Sequence, residues 1–132
     1  MLMITISLCA LVGVVLAPNL QRPHRGNNLT ACKSNCKNIA TALEMYATDN
    51  GGQYPLKLTK LTARMYLKTL PTCPAAGSDT YSNSYVCSQT PDAFSFYCSG
   101  NNHGKNYAKF ALDCSNFPQY TAVQGLIEQP EK

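Results

Sequence analysis

The seven cysteines and two histidines are the residues of this 132-residue chain whose chemistry could do more than fill a core. Disulfide formation and metal binding are the two chemistries open to them. So many cysteines in so short a chain favour disulfides and an exported protein, because bridges compensate for a small hydrophobic core. Cys9 lies in an apolar stretch and is interpreted as a small buried hydrophobe. The others allow fifteen pairings: Cys32, Cys36, Cys73, Cys87, Cys98 and Cys114.

Zinc is the alternative use of the same residues. Cys98 and His103, together with Cys73 or Cys87, could supply ligands to a zinc ion. The chain contains no Cys-x-x-Cys pair, which would be the strongest sign of such a site in a sequence. We therefore expect no cofactor, and we expect His103 to lie in a solvated turn.

Other chemistries find weaker support in the sequence. Calcium would need several clustered oxygen ligands, whereas Asp79, Asp92 and Asp113 are widely spaced. A Cys98 nucleophile with His103 as its base lacks any visible orienting motif, so we expect no enzyme activity. The eleven Lys and Arg residues exceed the seven Asp and Glu residues but form no dense run. Nucleic-acid binding is not predicted, because phosphate binding requires a basic patch.

The elements that would position these residues begin with an apolar segment. Residues 1–17 contain no charge and would span about 26 Å as a helix, close to the ~30 Å core of a bilayer. We predict a transmembrane or filament-core helix over residues 1–20, with a core helix and a signal peptide as the alternatives. The residues assigned to this assembly helix are Leu2, Ile4, Ile6, Ser7, Ala10, Gly13, Leu16 and Pro18.

A polar break and an amphipathic helix follow the apolar segment. Residues 21–28 carry Pro and Gly and predict an interruption, after which apolar residues recur every three or four positions over residues 29–50. Gly51 and Gly52 predict the end of this helix. The soluble head is assigned to residues 29–132, with loops and β-structure over residues 51–132.

Short β-prone runs dominate the second half of the chain. The sequence predicts a helical turn near residues 58–65 and an irregular loop around Cys73. The runs SYVC and AFSFYC predict a hairpin, with its turn at residues 89–92. A third strand is expected over residues 107–112, and the tail predicts no definite element.

These parts together resemble the type IV pilin and type II secretion major pseudopilin superfamily. The resemblance rests on the apolar segment ending near Pro18 and on the motif at the end of the amphipathic helix. The motif residues are Tyr46, Asp49, Asn50, Gly51, Tyr54 and Pro55. If the family's proline is placed on Pro18, its conserved glutamate falls at about Met1. The basic leader and the processing site then lie outside this chain.

The resemblance implies an α+β fold in which one long N-terminal helix packs on a small antiparallel sheet. It also implies a structural subunit of a type IV pilus or a type II secretion pseudopilus, cleaved and methylated at its N-terminus by a prepilin peptidase. The implied partners are copies of itself, other pilins or pseudopilins, and an inner-membrane assembly machinery. The implied location is the bacterial inner membrane with the head outside the cytoplasm, then an extracellular or periplasmic filament.

The resemblance also bears on the cysteines. The pilin and major pseudopilin branch of this superfamily often has cysteines at the positions of Cys73 and Cys98. The resemblance therefore implies a disulfide between these two residues. Cys87 and Cys114 are then candidates for a second bridge. The alternative function is a membrane-anchored or secreted disulfide-rich binding module that does not form filaments.

Overall fold

The computed structural model describes residues 27–90, 92–104 and 115–129. The elements are two helices, α1 (Asn27–Asp49) and α2 (Thr59–Ala63), and four strands, β1 (Val86–Gln89), β2 (Asp92–Tyr97), β3 (Gln119–Thr121) and β4 (Gly125–Ile127). The strands form one antiparallel sheet in the order β1-β2-β3-β4. Helix α1 packs against β3 and β4, and α2 packs against α1.

Helix α1 is amphipathic, as the sequence predicted. Cys32, Cys36, Ile39 and Leu43 follow one another at spacings of four, three and four, and each has a relative exposure of 0%. This spacing places the four side chains on one face of the helix, where they form part of the core. The prediction of a helix over residues 29–50 is confirmed to within two residues at each end. Helix α1 begins at Asn27, which lies inside the predicted break.

The β1–β2 hairpin is also confirmed. Val86 pairs with Ser95 and Gln89 pairs with Asp92, so the strands are joined at the predicted turn. Phe94 and Phe96 on β2 are buried whereas Ser95 between them is exposed, because successive side chains of a strand point to opposite faces. The two phenylalanine rings therefore lie on the inner face of the sheet.

The tail forms a second hairpin that the sequence did not predict. Strands β3 and β4 pair from Gln119 with Ile127 to Thr121 with Gly125. Gly125 has a φ of 73°, a left-handed conformation that favours glycine. The ring of Tyr120 lies nearly parallel to the rings of Phe94 and Phe96, at centroid distances of 6.1 and 5.9 Å. Packing against β2 thus stabilises a segment whose own sequence predicted no definite secondary structure.

Two predictions are corrected by these elements. The predicted fold class included a long N-terminal helix. This prediction is wrong, because α1 is 23 residues long and starts at Asn27. Within the described ranges, no helix has both the length and the apolar character needed to cross a bilayer. That finding contradicts the predicted inner-membrane location. The physical reason lies in α1 itself, which carries charged residues along its length at Lys33, Lys37, Glu44 and Asp49.

Several predicted features lie outside the described residues. These are the segment of residues 1–20, most of the break over residues 21–28, and the strand expected over residues 107–112. The individual residues concerned are Leu2, Ile4, Ile6, Ser7, Ala10, Gly13, Leu16, Pro18, Asp113 and Cys114.

Candidate metal centre

Helix α1 supplies the first cysteine of a buried cluster. Cys32 lies in the second turn of the helix, and its Sγ is 3.1 Å from the hydroxyl oxygen of Tyr81. Asn35, one turn further along, donates from Nδ2 to the carbonyl oxygen of Thr72 at 2.8 Å and to the Tyr81 hydroxyl at 3.4 Å. These contacts place the start of α1 directly against the loop that contains the second cysteine.

The second cysteine lies in a tight loop. The backbone N–H of Cys73 donates to the carbonyl oxygen of Ser78 at 2.9 Å, and the N–H of Gly77 donates back to the carbonyl oxygen of Cys73 at 2.8 Å. The N–H groups of Ala75 and Ala76 also hydrogen-bond to the Cys73 side chain. Gly77 has a φ of 70°, which allows the chain to reverse within these few residues.

Cys98 and His103 come from the segment that follows β2. The N–H of Cys98 donates to the carbonyl oxygen of Pro118, and the N–H of Ser99 donates to the carbonyl oxygen of Thr80. Asn102 then donates from Nδ2 to the carbonyl oxygen of Ser99 at 2.8 Å. This last bond closes the turn that carries His103 back toward the sulfur atom of Cys98.

The four side chains converge on one point of the core. Their donor atoms all lie within 4.8 Å of one another, and we call Cys32, Cys73, Cys98 and His103 the four-donor cluster. The Nε2 atom of the imidazole is 3.4 Å from the Sγ of Cys73. The three cysteines have a relative exposure of 0% and His103 of 2%, so the cluster is closed to solvent.

Burial and mutual hydrogen bonding keep these thiols protonated. A hydrogen bond with the neighbouring Cys36, together with burial, raises the pKa of Cys32 to about 12. A hydrogen bond with Cys32, followed by burial, raises the pKa of Cys98 to about 12. Burial also raises the pKa of Cys73, against the hydrogen bonds from the Ala76 and Ala75 backbone. A cysteine nucleophile needs its thiolate, so this environment does not favour nucleophilic catalysis.

The structure brings together part of the predicted cysteine set. Cys73 and Cys98 are free thiols whose sulfur atoms lie within 4.8 Å. Their disulfide therefore stays a prediction, and a shorter approach of the two sulfur atoms would be needed to form it. Cys87, on β1, is partly buried and belongs to no metal-ligating group among the described residues.

One residue of the four-donor cluster, Cys32, was not among the zinc ligands that the sequence suggested. Cys32 and Cys36 both fall on the apolar stripe of α1. The neighbouring sequence does not indicate which of the two thiols faces the other metal-ligating side chains. The prediction of a solvated turn for His103 is wrong: the residue lies in a turn, but the turn folds into the core. The only local sign was the spacing of Cys98 and His103, which fits two ligands of one metal ion.

The calcium candidates within the described residues do not form a group of ligands. Asp79 accepts hydrogen bonds at Oδ1 from the N–H groups of Tyr81 and Ser82, at 2.9 and 3.1 Å, and so closes a local turn. Asp92 is exposed at the start of β2. The Asp79 carboxylate therefore has a structural role in this turn.

The motif at the end of α1 forms a second, structural cluster. Tyr46 and Asn50 are linked by a 2.7 Å hydrogen bond from the Asn50 amide to the Tyr46 carbonyl oxygen, which caps the helix before Gly51 turns at a φ of 69°. Asp49 accepts a 2.7 Å hydrogen bond from the hydroxyl of Tyr66.

The rest of the motif joins the helix to the sheet. The Tyr54 hydroxyl donates to the carboxylate of Glu44 at 3.0 Å, and its ring packs edge-on against Phe94 at 4.8 Å. Pro55 is buried, and its carbonyl oxygen accepts a 2.7 Å hydrogen bond from the hydroxyl of Tyr85. The motif thus fixes the C-terminal end of α1 to the sheet.

Comparisons of the chain with protein-family models, curated proteins and solved structures gave no match.

Proposed function

We propose that the chain is a structural subunit of a type IV pilus or a type II secretion pseudopilus. In this proposal the apolar residues 1–20 associate with those of other copies, and the described residues form the head. The observation that carries the proposal is the way the motif from Tyr46 to Pro55 attaches α1 to the sheet.

A filament subunit must transmit force between its assembly segment and its head. Helix α1 begins at Asn27, a few residues after the apolar segment, and its far end is held by the Tyr54–Phe94 ring contact and the Tyr85–Pro55 hydrogen bond. The buried face of α1 packs on the sheet along the length between these ends. A load entering at residue 27 would therefore be shared across the whole core.

The apolar segment supplies the driving force for assembly. Exposed apolar surface costs ~25 cal/mol per Å² in water, so the side chains of residues 1–17 strongly favour association with other apolar surfaces. Ser7, Ala10 and Gly13 recur every three residues, and small residues at such a spacing allow close packing between neighbouring segments. Association with identical segments would satisfy both tendencies.

Electron microscopy and sedimentation of the full chain test this proposal. We expect the full chain to pellet as long fibres, and a variant lacking residues 1–26 to stay monomeric while keeping a folded head. A second variant, Gly13→Phe, keeps the hydrophobicity of the segment but blocks close approach, and we expect fewer or no fibres. A matched Leu11→Phe exchange at a position that is already large should leave fibres intact.

Monomers of the full chain would contradict the proposal. If the full chain and the variant without residues 1–26 were both monomeric and bound the same ligand, the binding-module alternative would replace the filament reading. Fibres that form equally well without residues 1–26 would show that the head alone assembles, which also overturns the role given to the apolar segment.

A further inference from the structure

We propose that Cys32, Cys73, Cys98 and His103 form a structural zinc site. Zinc in proteins is held tetrahedrally by cysteine sulfur at about 2.3 Å and histidine nitrogen at about 2.0–2.1 Å, and three Cys with one His is a common ligand set. Such a tetrahedron has edges of about 3.5–3.8 Å between donor atoms. The 3.4 Å distance from Cys73 Sγ to His103 Nε2 is close to one such edge, and no pair of donor atoms is more than 4.8 Å apart.

Hydrogen-bond donors surround the sulfur atoms. The Thr80 hydroxyl lies 3.2 Å from the Sγ of Cys98, and Asn102 donates to the same sulfur from Nδ2 at 3.7 Å. The Tyr81 hydroxyl lies 3.1 Å from Cys32, and two backbone N–H groups reach Cys73. Each of the three sulfur atoms thus has at least one donor near it. Hydrogen bonds of this kind orient the ligands and offset the charge of three thiolates around one Zn²⁺.

The site is of the closed, structural kind. All four ligands come from protein side chains that are almost completely buried, and a zinc ion held by four such ligands has no open position for water or substrate. The ligands come from α1, the loop at Cys73 and the segment that follows β2. One ion would therefore join three segments that are distant in sequence, which suits a small core.

The binding step is an exchange of protons for metal. Zn²⁺ displaces the protons of three thiols, which pass to the buffer, and it accepts a lone pair from Nε2 of a neutral His103 whose proton resides on Nδ1. No electron is transferred. The Nε2 atom faces the sulfur atoms, because it lies 3.4 Å from the Sγ of Cys73. The Nδ1 atom is buried and has no hydrogen-bond partner among the described residues.

A disulfide between two of these cysteines is the competing outcome. A Cys73–Cys98 bridge would bring the sulfur atoms to about 2.05 Å and would remove two of the four ligands. The zinc site and this disulfide therefore exclude each other, and a single sample can decide between them.

Metal content and thiol state of the purified full chain test the zinc site. We expect one zinc per chain by elemental mass spectrometry, and free thiols at Cys73 and Cys98 by alkylation and peptide mapping without reductant. Replacement of zinc by Co²⁺ should give the sulfur-to-cobalt charge-transfer absorption and the intense visible bands of a tetrahedral thiolate site. Cys32→Ala, Cys73→Ala and His103→Ala should each weaken zinc binding at least about 100-fold.

Matched variants separate ligation from packing. Cys36→Ala removes an equally buried thiol from the next turn of α1, outside the four-donor cluster, and should keep one zinc per chain. His103→Cys should also keep the metal and shift the cobalt spectrum toward four sulfur ligands, even if His103→Ala fails to fold. These measurements concern metal content and are independent of whether the chain forms fibres.

The proposal would be overturned by a chain without zinc after purification and after reconstitution with zinc under reducing conditions. Loss of zinc in Cys36→Ala but not in Cys32→Ala would overturn the ligand assignment. A Cys73–Cys98 disulfide in the protein as isolated would show that oxidation, not zinc, occupies these residues.

Discussion

The Nε2 atom of His103 lies 3.4 Å from the Sγ of Cys73, although the two residues are 30 positions apart in the chain. The loop around Cys73 and the turn after β2 are thereby joined inside the core. Both residues are fully or almost fully buried, and Cys32 and Cys98 complete the group. Four potential metal ligands thus meet in the core beside α1.

The hydrogen bond from Asn102 to Cys98 predicts a measurable contribution to metal affinity. Asn102→Ala removes the N–H donor to the Cys98 sulfur and the bond that closes the His103 turn. Loss of such an outer contact typically weakens a zinc site 10–100-fold, and we expect an effect in about that range. Competition with a chromophoric chelator measures the affinity. The neighbouring Asn101→Ala, at an exposed position, should bind zinc as the native chain does.

Phe96 is expected to be a principal contributor to stability. Its ring is 1% exposed and stacks against Phe94 and Tyr120, so Phe96→Ala leaves a cavity in the middle of the sheet. We expect a loss of about 3–5 kcal/mol in the free energy of unfolding, measured by urea titration. Val86→Ala, on the exposed side of β1, should cost less than about 0.5 kcal/mol. Similar losses for both variants would show that the sheet face is not packed as described.

Gly51 follows helix α1 in a left-handed backbone conformation, so we expect substitutions at this position to lower the free energy of unfolding. A Cβ atom added there meets nothing within 4 Å, so Gly51→Ala is strained only by its φ of 69°. We expect Gly51→Ala to lower the free energy of unfolding by about 1–2 kcal/mol. Gly51→Asn should cost clearly less, because asparagine tolerates this conformation. Equal costs for the two variants would exclude backbone conformation as the cause.

Tyr54 predicts a loss of stability at alkaline pH. Burial, followed by the hydrogen bond to Glu44, raises the pKa of Tyr54 to about 12 from an ordinary value near 10. The folded state therefore holds this proton more tightly than the unfolded chain. The contribution of the Tyr54 proton to the free energy of unfolding is therefore fully present below about pH 10, and it is lost as the pH rises through 12. Urea titrations between pH 9 and 12 should show a smaller decline in Tyr54→Phe than in the native chain.

Glu44→Gln tests the cause of that shift. The exchange removes the carboxylate that accepts the Tyr54 hydroxyl hydrogen bond but leaves the ring packed against Phe94. Because burial is the larger cause, we expect most of the alkaline decline to remain in this variant. A decline as small as that of Tyr54→Phe would assign the shift to the carboxylate instead.

Local patterns in the sequence were sufficient for two elements. The apolar stripe of Cys32, Cys36, Ile39 and Leu43 specifies α1, because a period near 3.6 residues is a property of the segment alone. The two glycines after Asn50 likewise specify its end, through a conformation that other residues adopt less readily. The β1–β2 hairpin follows from its alternating aromatic residues and its turn.

The sequence alone thus determined helix α1 and the β1–β2 hairpin, and it supplied the chemistry of the candidate site, three cysteines and a histidine among several. Only the tertiary structure decided which of them meet. Cys32 contacts Tyr81 across 49 positions, and His103 contacts Cys73 across 30, so their proximity depends on how α1, the loops and the sheet pack. The tail hairpin was decided in the same way, by the stacking of Tyr120 on β2. Such contacts leave no periodic trace in the chain, because their physical cause is the burial of distant segments against each other.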